Sequence, residues 1–209
     1  MKMDIMFRFI FGLSDVSTHI WCHKNTKLFI PLQRFLVVKI TAVMMKLVFA
    51  TGNVGKLREA SEILGEGFEL VSLAQVGITE DIPETGKTLV ANSLQKAMYL
   101  YDKVGCDCFA DDTGLEVDAL GGAPGVYTAR YAGDDKDFNK NMDKVLYELE
   151  VLEGEARMAE SLGLKTKKVS RRARFKSVIT LIINGEKNIF EGTLEGVIAR
   201  EKSGNGGFG

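Results

Sequence analysis

The apolar run Lys46-Leu-Val-Phe-Ala50 leads directly into Thr51-Gly-Asn-Val-Gly-Lys56. The run is typical of a buried strand, and the apolar spacing that follows predicts a helix from Lys56 to Leu64, stopped by Gly65. A glycine-bearing turn between a strand and a helix leaves backbone N–H groups free at the helix start, where the helix dipole also favours anions. We therefore expect the Thr51–Lys56 turn to bind phosphate.

The turn contains the residue types that phosphate binding needs. Gly52 and Gly55 allow the backbone to approach a ligand closely, and Lys56 places a cation near phosphate oxygens. Thr51 and Asn53 offer hydrogen bonds. The turn lacks the Gly-Lys-Ser/Thr ending of a Walker A loop. From the residues alone, an ordinary connection with a solvated lysine is the alternative.

Acidic residues follow a second apolar segment. Asp111 and Asp112 come after a short strand predicted at Cys108–Ala110, and successive strand side chains point to opposite faces. We expect one carboxylate to face a cleft and the other to brace the Thr113-Gly114 turn. Glu84, in a loop with a proline and a glycine, is the best second ligand for a divalent cation. Two carboxylates with water and substrate phosphates suit Mg²⁺.

Other candidate groups are basic. The segment from residue 45 to 209 contains no histidine, so mechanisms that need a histidine base or ligand are excluded within it. Lys96, on a helix predicted at Thr88–Val104, is a candidate phosphate contact, with a solvated helix face as the alternative. Arg130 braces a loop, lies in a subunit interface or contacts ligand, and its spacing does not decide among these.

Composition excludes several classes of protein. The 209 residues are 45% apolar and 26% charged, with a net charge of −1, which is typical of a globular protein rather than a nucleic-acid binder. No uninterrupted apolar stretch reaches membrane-spanning length. The three cysteines form no disulfide framework or metal motif, which favours the cytoplasm.

Regular α/β patterning begins at Met45, so we interpret residues 1–44 as an N-terminal extension and 45–209 as the folded domain. A genuine N-terminal subdomain is the alternative. The further elements predicted are a strand at Phe68–Leu73, a helix at Asp134–Leu152, a basic surface excursion at Glu153–Arg172, and a hairpin of Ala173–Ile183 and Lys187–Ile198 joined by Asn184-Gly185.

Short motifs in order from Met45 to Gly209 resemble the inosine triphosphate pyrophosphatase family, also called XTP/dITP diphosphatases. They are Thr51-Gly-Asn-Val-Gly-Lys56, Glu84-Thr-Gly86, Asn92 with Lys96-Ala97, Ala110-Asp-Asp-Thr-Gly-Leu115, Gly121-Gly-Ala-Pro-Gly125, Ala129-Arg-Tyr131, Ala173-Arg-Phe175 and Gly206-Gly-Phe-Gly209. The resemblance implies an α/β fold with a long mixed central sheet flanked by helices, two lobes with a cleft between them, and a homodimer.

The resemblance also implies a reaction and a set of residues. The reaction is Mg²⁺-dependent hydrolysis of ITP, dITP and XTP to the nucleoside monophosphate and pyrophosphate. Asp112 is the implied proton acceptor and, with Glu84, a metal ligand. The implied substrate contacts are Thr51, Gly52, Asn53, Val54, Gly55, Lys56, Thr113, Phe208 and Gly209.

Three departures from the family pattern bear on function. Ala91 stands where the family has a glutamate, and the excursion at Glu153–Arg172 is longer than usual. The family continues past Gly209 with Tyr-Asp-Pro, a lysine and a His-Arg pair that read the base. We therefore expect a C-terminally incomplete chain that binds triphosphates and discriminates bases weakly. A non-catalytic nucleotide-phosphate-binding fragment is the alternative.

Overall fold

A computed structural model of the chain describes residues 44–202. The predictions for residues 1–43, Phe208 and Gly209 lie outside the described residues. The elements in chain order are β1 (Met45–Phe49), α1 (Val54–Leu64), β2 (Phe68–Val71), α2 (Leu89–Val104), β3 (Cys108–Val117), β4 (Pro124–Gly125), α3 (Phe138–Ser161), β5 (Arg172–Ile183) and β6 (Glu186–Val197). Short 3₁₀ helices lie at Gly65–Gly67, Ala74–Val76, Asp118–Leu120 and Thr128–Arg130.

The strands form one mixed sheet in the order β2-β1-β3-β5-β6, with β4 paired to β3. β1 runs parallel to both β2 and β3, whereas β5 runs antiparallel to β3 and β6 runs antiparallel to β5. The predicted long mixed sheet flanked by helices is thus confirmed. No helix within residues 44–202 is both long and apolar enough to cross a bilayer.

The apolar core lies at two ends of the long strands. Near β1, alternate side chains pack on opposite faces of the sheet, with Leu47 and Phe49 toward α1 and Val48 and Ala50 toward α2. Beyond them along β3, Val117 packs with α3 in a separate cluster. The polar residues of β3 lie between these clusters, which gives the two-lobed arrangement that the resemblance implies.

Local capping fixes where the helices begin. The Asn53 side chain caps α1, the Thr88 hydroxyl accepts from the Ala91 N–H at the start of α2, and the Asp137 carboxylate accepts from the Asn139 N–H at the start of α3. These side chains satisfy N–H groups that have no partner within the helix.

Two element predictions are wrong in length. The strand predicted at Cys108–Ala110 extends to Val117, because β5 pairs with it residue by residue along that whole length. The helix predicted at Asp134–Leu152 runs instead from Phe138 to Ser161, so the first nine residues of the predicted surface excursion are helical. The later part of that basic excursion is solvated as predicted, with Lys165, Lys167 and Lys168 exposed.

Hairpin geometry follows the sequence closely. Asn184 and Gly185 have φ values of 51° and 80°, the left-handed conformation that a two-residue turn of this type requires. The turn joins β5 and β6 in continuous antiparallel register from Arg172 opposite Val197 to Ile183 opposite Glu186. The predicted hairpin is confirmed: β5 begins one residue earlier than predicted and ends at the same residue, and β6 begins and ends one residue earlier.

Candidate active site

The Thr51–Lys56 turn connects β1 to α1, as predicted. The Asn53 Oδ1 atom accepts from the N–H groups of Gly55 (2.9 Å) and Lys56 (3.2 Å), and the Thr51 hydroxyl accepts from the Asn53 N–H at 3.1 Å. Gly52 has open space around it, since a Cβ there would meet no atom within 4 Å. The turn is therefore preorganised by its own side chains, and its contact with phosphate stays a prediction.

Asp111 pairs with the lysine of that turn. Lys56 Nζ donates to Asp111 Oδ2 at 2.6 Å, and Asp111 is only 2% exposed. Burial alone would raise the pKa of Asp111, but the charges of Lys56 and Lys96 outweigh it and the pKa is lowered. The expectation that one aspartate braces a turn at Thr113-Gly114 is wrong, because Thr113 and Gly114 lie inside the strand β3 and form no turn.

Lys96 joins the two predicted metal ligands. Its Nζ atom donates to Glu84 Oε1 at 2.7 Å and lies 3.8 Å from Asp112 Oδ1. The residue is 8% exposed, so the alternative of a solvated helix face is wrong. Burial lowers the pKa of Lys96, yet Asp111, Asp112 and Glu84 together overcome this and raise it, so the side chain is an ammonium.

Asp112 has one oxygen without a partner. Its Oδ1 atom accepts from the Thr113 N–H at 3.1 Å, while the buried Oδ2 atom has no hydrogen bond within the described residues. Burial raises the pKa of Asp112 to about 6, with the Glu84 charge adding to the shift and Lys96 opposing it. A buried, unsatisfied carboxylate oxygen is costly unless a ligand completes its contacts.

The donor set fits a divalent cation. Glu84 and Asp112 both lie within 4 Å of the Lys96 ammonium, so their carboxylates lie near each other. Within residues 44–202, no group of three or more acidic, histidine or cysteine side chains converges on one point. The chain therefore offers two carboxylates, a set that suits Mg²⁺ completed by water and phosphate oxygens.

Asn92 is a site residue whose role the sequence analysis missed. It is 1% exposed, and its Oδ1 atom accepts from the Gly86 N–H at 2.7 Å. This bond ties the loop that carries Glu84 to the start of α2. The helical spacing of the sequence could have predicted its burial, because Asn92 lies on the same helix face as the apolar residues. The buried residues of that face of α2 are Leu89, Asn92, Ser93, Lys96, Ala97 and Leu100.

Thr113 connects the polar site to a cavity. Its hydroxyl forms a hydrogen bond with the Ser177 hydroxyl of β5. It also lines a cavity of about 350 Å³ whose walls are mainly apolar residues of α3 and of the strands, including Phe138, Val145 and Phe175. Arg130 lies on the opposite flank of Glu84, with Nη1 3.9 Å from Glu84 Oε2. The structure thus forms two sets of ion pairs at adjacent positions of β3: Lys56 with Asp111, and Lys96 with Glu84 and Asp112.

The family model of the Ham1 family matches residues 47–209. The chain belongs to the Ham1 family. The dITP/XTP pyrophosphatase of Christiangramia forsetii is 47% identical over 165 residues, covering 79% of this chain and 78% of that protein. A HAM1 protein from Coxiella burnetii has a similar structure, with a TM-score of 0.67, 34% identity and 79% of each chain covered.

A third relative of this Ham1 family member is the nucleoside-triphosphatase, or dITP/XTP pyrophosphatase, of Mycobacterium abscessus. Its structure matches with a TM-score of 0.62 and 38% identity over 79% of this chain and 80% of that one. These relatives confirm the predicted family and fold class, and their names agree with the predicted class of hydrolase.

Proposed function

We propose that this protein hydrolyses non-canonical purine nucleoside triphosphates, namely ITP, dITP and XTP, to the monophosphate and pyrophosphate in a Mg²⁺-dependent reaction. The observation that carries the proposal is the group of Glu84, Lys96 and Asp112, with a buried Asp112 oxygen that has no hydrogen-bond partner among residues 44–202. The names of the relatives support the choice of substrate. Removal of such nucleotides cleanses the pool from which nucleic acids are made.

Asp112 is the proton acceptor in this proposal. Cleavage of the anhydride between the α and β phosphates consumes one water, which must lose a proton as the new P–O bond forms. In the metal-free protein, the Asp112 carboxylate has a pKa of about 6, so it is a stronger base than an ordinary aspartate and is still mostly ionised at neutral pH. Pyrophosphate leaves with the bridging oxygen.

The other residues bind and orient the substrate. Glu84 and Asp112 would hold Mg²⁺, which when bound neutralises charge that develops on the phosphoryl group. Lys56 and Lys96 supply fixed positive charge beside them. We also assign substrate contacts to the Thr51–Lys56 turn and Thr113, and base contacts to Phe208 and Gly209.

The remaining parts of the proposal concern the whole protein. The resemblance supports a homodimer and a folded domain that begins at residue 45. The absence of a cysteine framework in the sequence supports a cytoplasmic location.

The test is a substrate panel on the full chain. Pyrophosphate release from ITP, dITP and XTP is measured beside ATP and GTP, with Mg²⁺ and with EDTA. The proposal predicts pyrophosphate release from the three non-canonical nucleotides that disappears in EDTA, with only a weak preference over ATP and GTP. Calorimetric binding of ITP without pyrophosphate release would contradict it and favour a non-catalytic nucleotide-binding protein.

A further inference from the structure

Arg130 lies beside Glu84, and its one ion pair among residues 44–202 is a long one. Its Nη1 atom is 3.9 Å from Glu84 Oε2, while the other Glu84 oxygen accepts from Lys96 at 2.7 Å. A separation of 3.9 Å is too long for a hydrogen bond. Glu84 is therefore held firmly by one cation and only loosely by the other.

The backbone that carries Arg130 is fixed on both sides. The Thr128 hydroxyl accepts from the Leu115 N–H of β3 at 2.7 Å. The Asn141 amide of α3 donates to the Ala129 carbonyl at 2.9 Å. Arg130 thus projects from a segment anchored to the sheet and to α3, so its side chain is presented to the site from a defined position.

A guanidinium carries five N–H donors, and that of Arg130 donates none of them in a hydrogen bond to any residue between 44 and 202. Its side chain is 26% exposed, and it lies 5.8 Å from the centre of the exposed Tyr127 ring. A partly buried arginine with unused donors is suited to an acceptor-rich ligand that enters the site.

Charge balance points to the same conclusion. The site contains three carboxylates, on Glu84, Asp111 and Asp112, and the two lysines are already engaged with them. A polyphosphate would enter a site in which the lysines alone do not neutralise the carboxylates. With Arg130 included, the site has three cationic side chains for its three carboxylates. Its planar fork also matches phosphate oxygens better than an ammonium does.

We propose that Arg130 binds the phosphate chain of the substrate, replacing its long contact with Glu84 by charge-assisted hydrogen bonds to phosphate oxygens. This inference rests on the proposed function, since it requires a nucleoside triphosphate beside Glu84. It assigns Arg130 a ligand contact rather than a role in bracing a loop or in a subunit interface.

The test compares Arg130→Ala and Arg130→Lys with wild type in the full chain. Calorimetry measures the binding of pyrophosphate in Mg²⁺ buffer and of Mg²⁺ alone, and steady-state kinetics give KM and kcat for ITP. Arg130→Ala should weaken pyrophosphate binding and raise KM by about 10- to 100-fold, as expected for lost charge-assisted hydrogen bonds. Arg130→Lys should recover part of the loss, because it keeps the charge without the fork.

Arg58→Ala is the matched control. Arg58 lies on the exposed side of α1, where it pairs with Glu62 on the same helix, and its loss should leave all these constants unchanged. Pyrophosphate affinity that is unchanged in Arg130→Ala would overturn the inference. So would an equal loss of Mg²⁺ affinity, because Arg130 would then only position Glu84. Wild-type protein that neither binds pyrophosphate nor hydrolyses ITP would instead refute the proposed function itself.

Melting temperatures show whether each variant is folded before its binding is compared with that of wild type. If Arg130→Ala unfolds, Arg130→Gln keeps the side chain as far as Cδ without the charge, and the same two titrations are made on it. A Gln variant that binds pyrophosphate as tightly as wild type would also overturn the inference.

Discussion

Asp111 and Asp112 are neighbours on one strand, yet their surroundings shift their pKa values in opposite directions. Asp111 is buried against Lys56, and the charges of Lys56 and Lys96 outweigh desolvation, so its carboxylate form is favoured. Asp112 has a buried oxygen without a hydrogen-bond partner among residues 44–202, and desolvation dominates, so its neutral form persists to higher pH than in an ordinary aspartate. Paired carboxyl groups whose pKa values are pushed apart are typical of different roles in a site.

The first prediction separates these roles. Asp112→Asn should lower kcat for ITP by about 10²- to 10⁴-fold, because the amide keeps the shape but loses the proton affinity of a general base. Asp111→Asn should lower kcat less, since it removes the partner of Lys56 and no reacting group. Steady-state kinetics of both variants provide the measurement. Equal and mild effects would remove Asp112 from the position of the base.

The second prediction concerns stability against pH in metal-free protein. The pKa of Asp112 is raised from 3.8 to about 6 in the folded state, so folding takes up a proton in this range and ionisation at higher pH opposes folding. The destabilisation should develop as pH rises from about 4 to about 6. It should reach about 3 kcal/mol at neutral pH, since one pKa unit corresponds to about 1.4 kcal/mol.

Asp112→Asn removes this effect and serves as its own control. Urea unfolding in EDTA at about pH 4.5 and about pH 7.5 should show wild type losing about 2 kcal/mol more than the variant between these values. The lowered pKa of Asp111 acts in the opposite sense and at lower pH, where its protonation removes stability. Parallel pH profiles for the two proteins would show that Asp112 titrates normally.

At the scale of elements, the loop that carries Glu84 is held against α2 by close packing at Gly86. A Cβ on Gly86 would lie 2.7 Å from both Ala91 Cβ and Asn92 Oδ1, and 3.0 Å from the Asn92 backbone nitrogen. Ala91 and Asn92 belong to the first turn of α2, so they cannot move away from such a Cβ without moving the start of the helix. The absence of a side chain at Gly86 thus allows the loop to seat on α2.

The third prediction follows from that packing. Gly86→Ala should displace the loop, break the hydrogen bond to Asn92 and weaken Mg²⁺ binding about tenfold or more, because Glu84 moves with the loop. Calorimetric titration with Mg²⁺ measures this. Gly67→Ala is the matched control, since a Cβ there meets no atom within 4 Å. Similar Mg²⁺ affinity in both variants would contradict the role given to the loop.

Element types were predictable from sequence, whereas their lengths depended on tertiary contacts. The Asn184-Gly185 turn and the strand before Thr51 are local signals and were predicted correctly. The extension of β3 through Asp111 and Asp112 could not be predicted locally, because polar residues in a strand are stabilised here by pairing with β5. Likewise α3 continues past Gly154, a residue that the sequence pattern marks as a break.

At the scale of the whole molecule, the site lies where the long strand β3 passes between two apolar clusters. The apolar clusters around α1, α2 and α3 fix β3 on both sides of Asp111 and Asp112. The two aspartates are therefore held in place by the packing of neighbouring residues of the same strand. The sequence could nominate Glu84, Lys96 and Asp112 individually. It could not show that Lys96 joins the other two or that Lys56 pairs with Asp111, because these contacts join residues distant in the chain.

The fourth prediction concerns the first segment of the chain. Deletion of residues 1–44 should change the melting temperature by less than about 2 °C and leave kcat and KM unaltered, because β1 begins at Met45 and already packs on α1 and α2. Differential scanning calorimetry and ITP kinetics test this. A fall of more than about 5 °C would show that the segment contributes to the fold.

In the proposed reaction, this protein cleaves the bond between the α and β phosphates. Phosphorus NMR of ITP incubated with the full chain and Mg²⁺ tests it most directly, because it identifies each product by its own resonance. We predict that IMP and pyrophosphate appear together in equal amounts, with no IDP at any time and no reaction in EDTA. Appearance of IDP with inorganic phosphate would contradict the account, since it would place cleavage at the terminal phosphate.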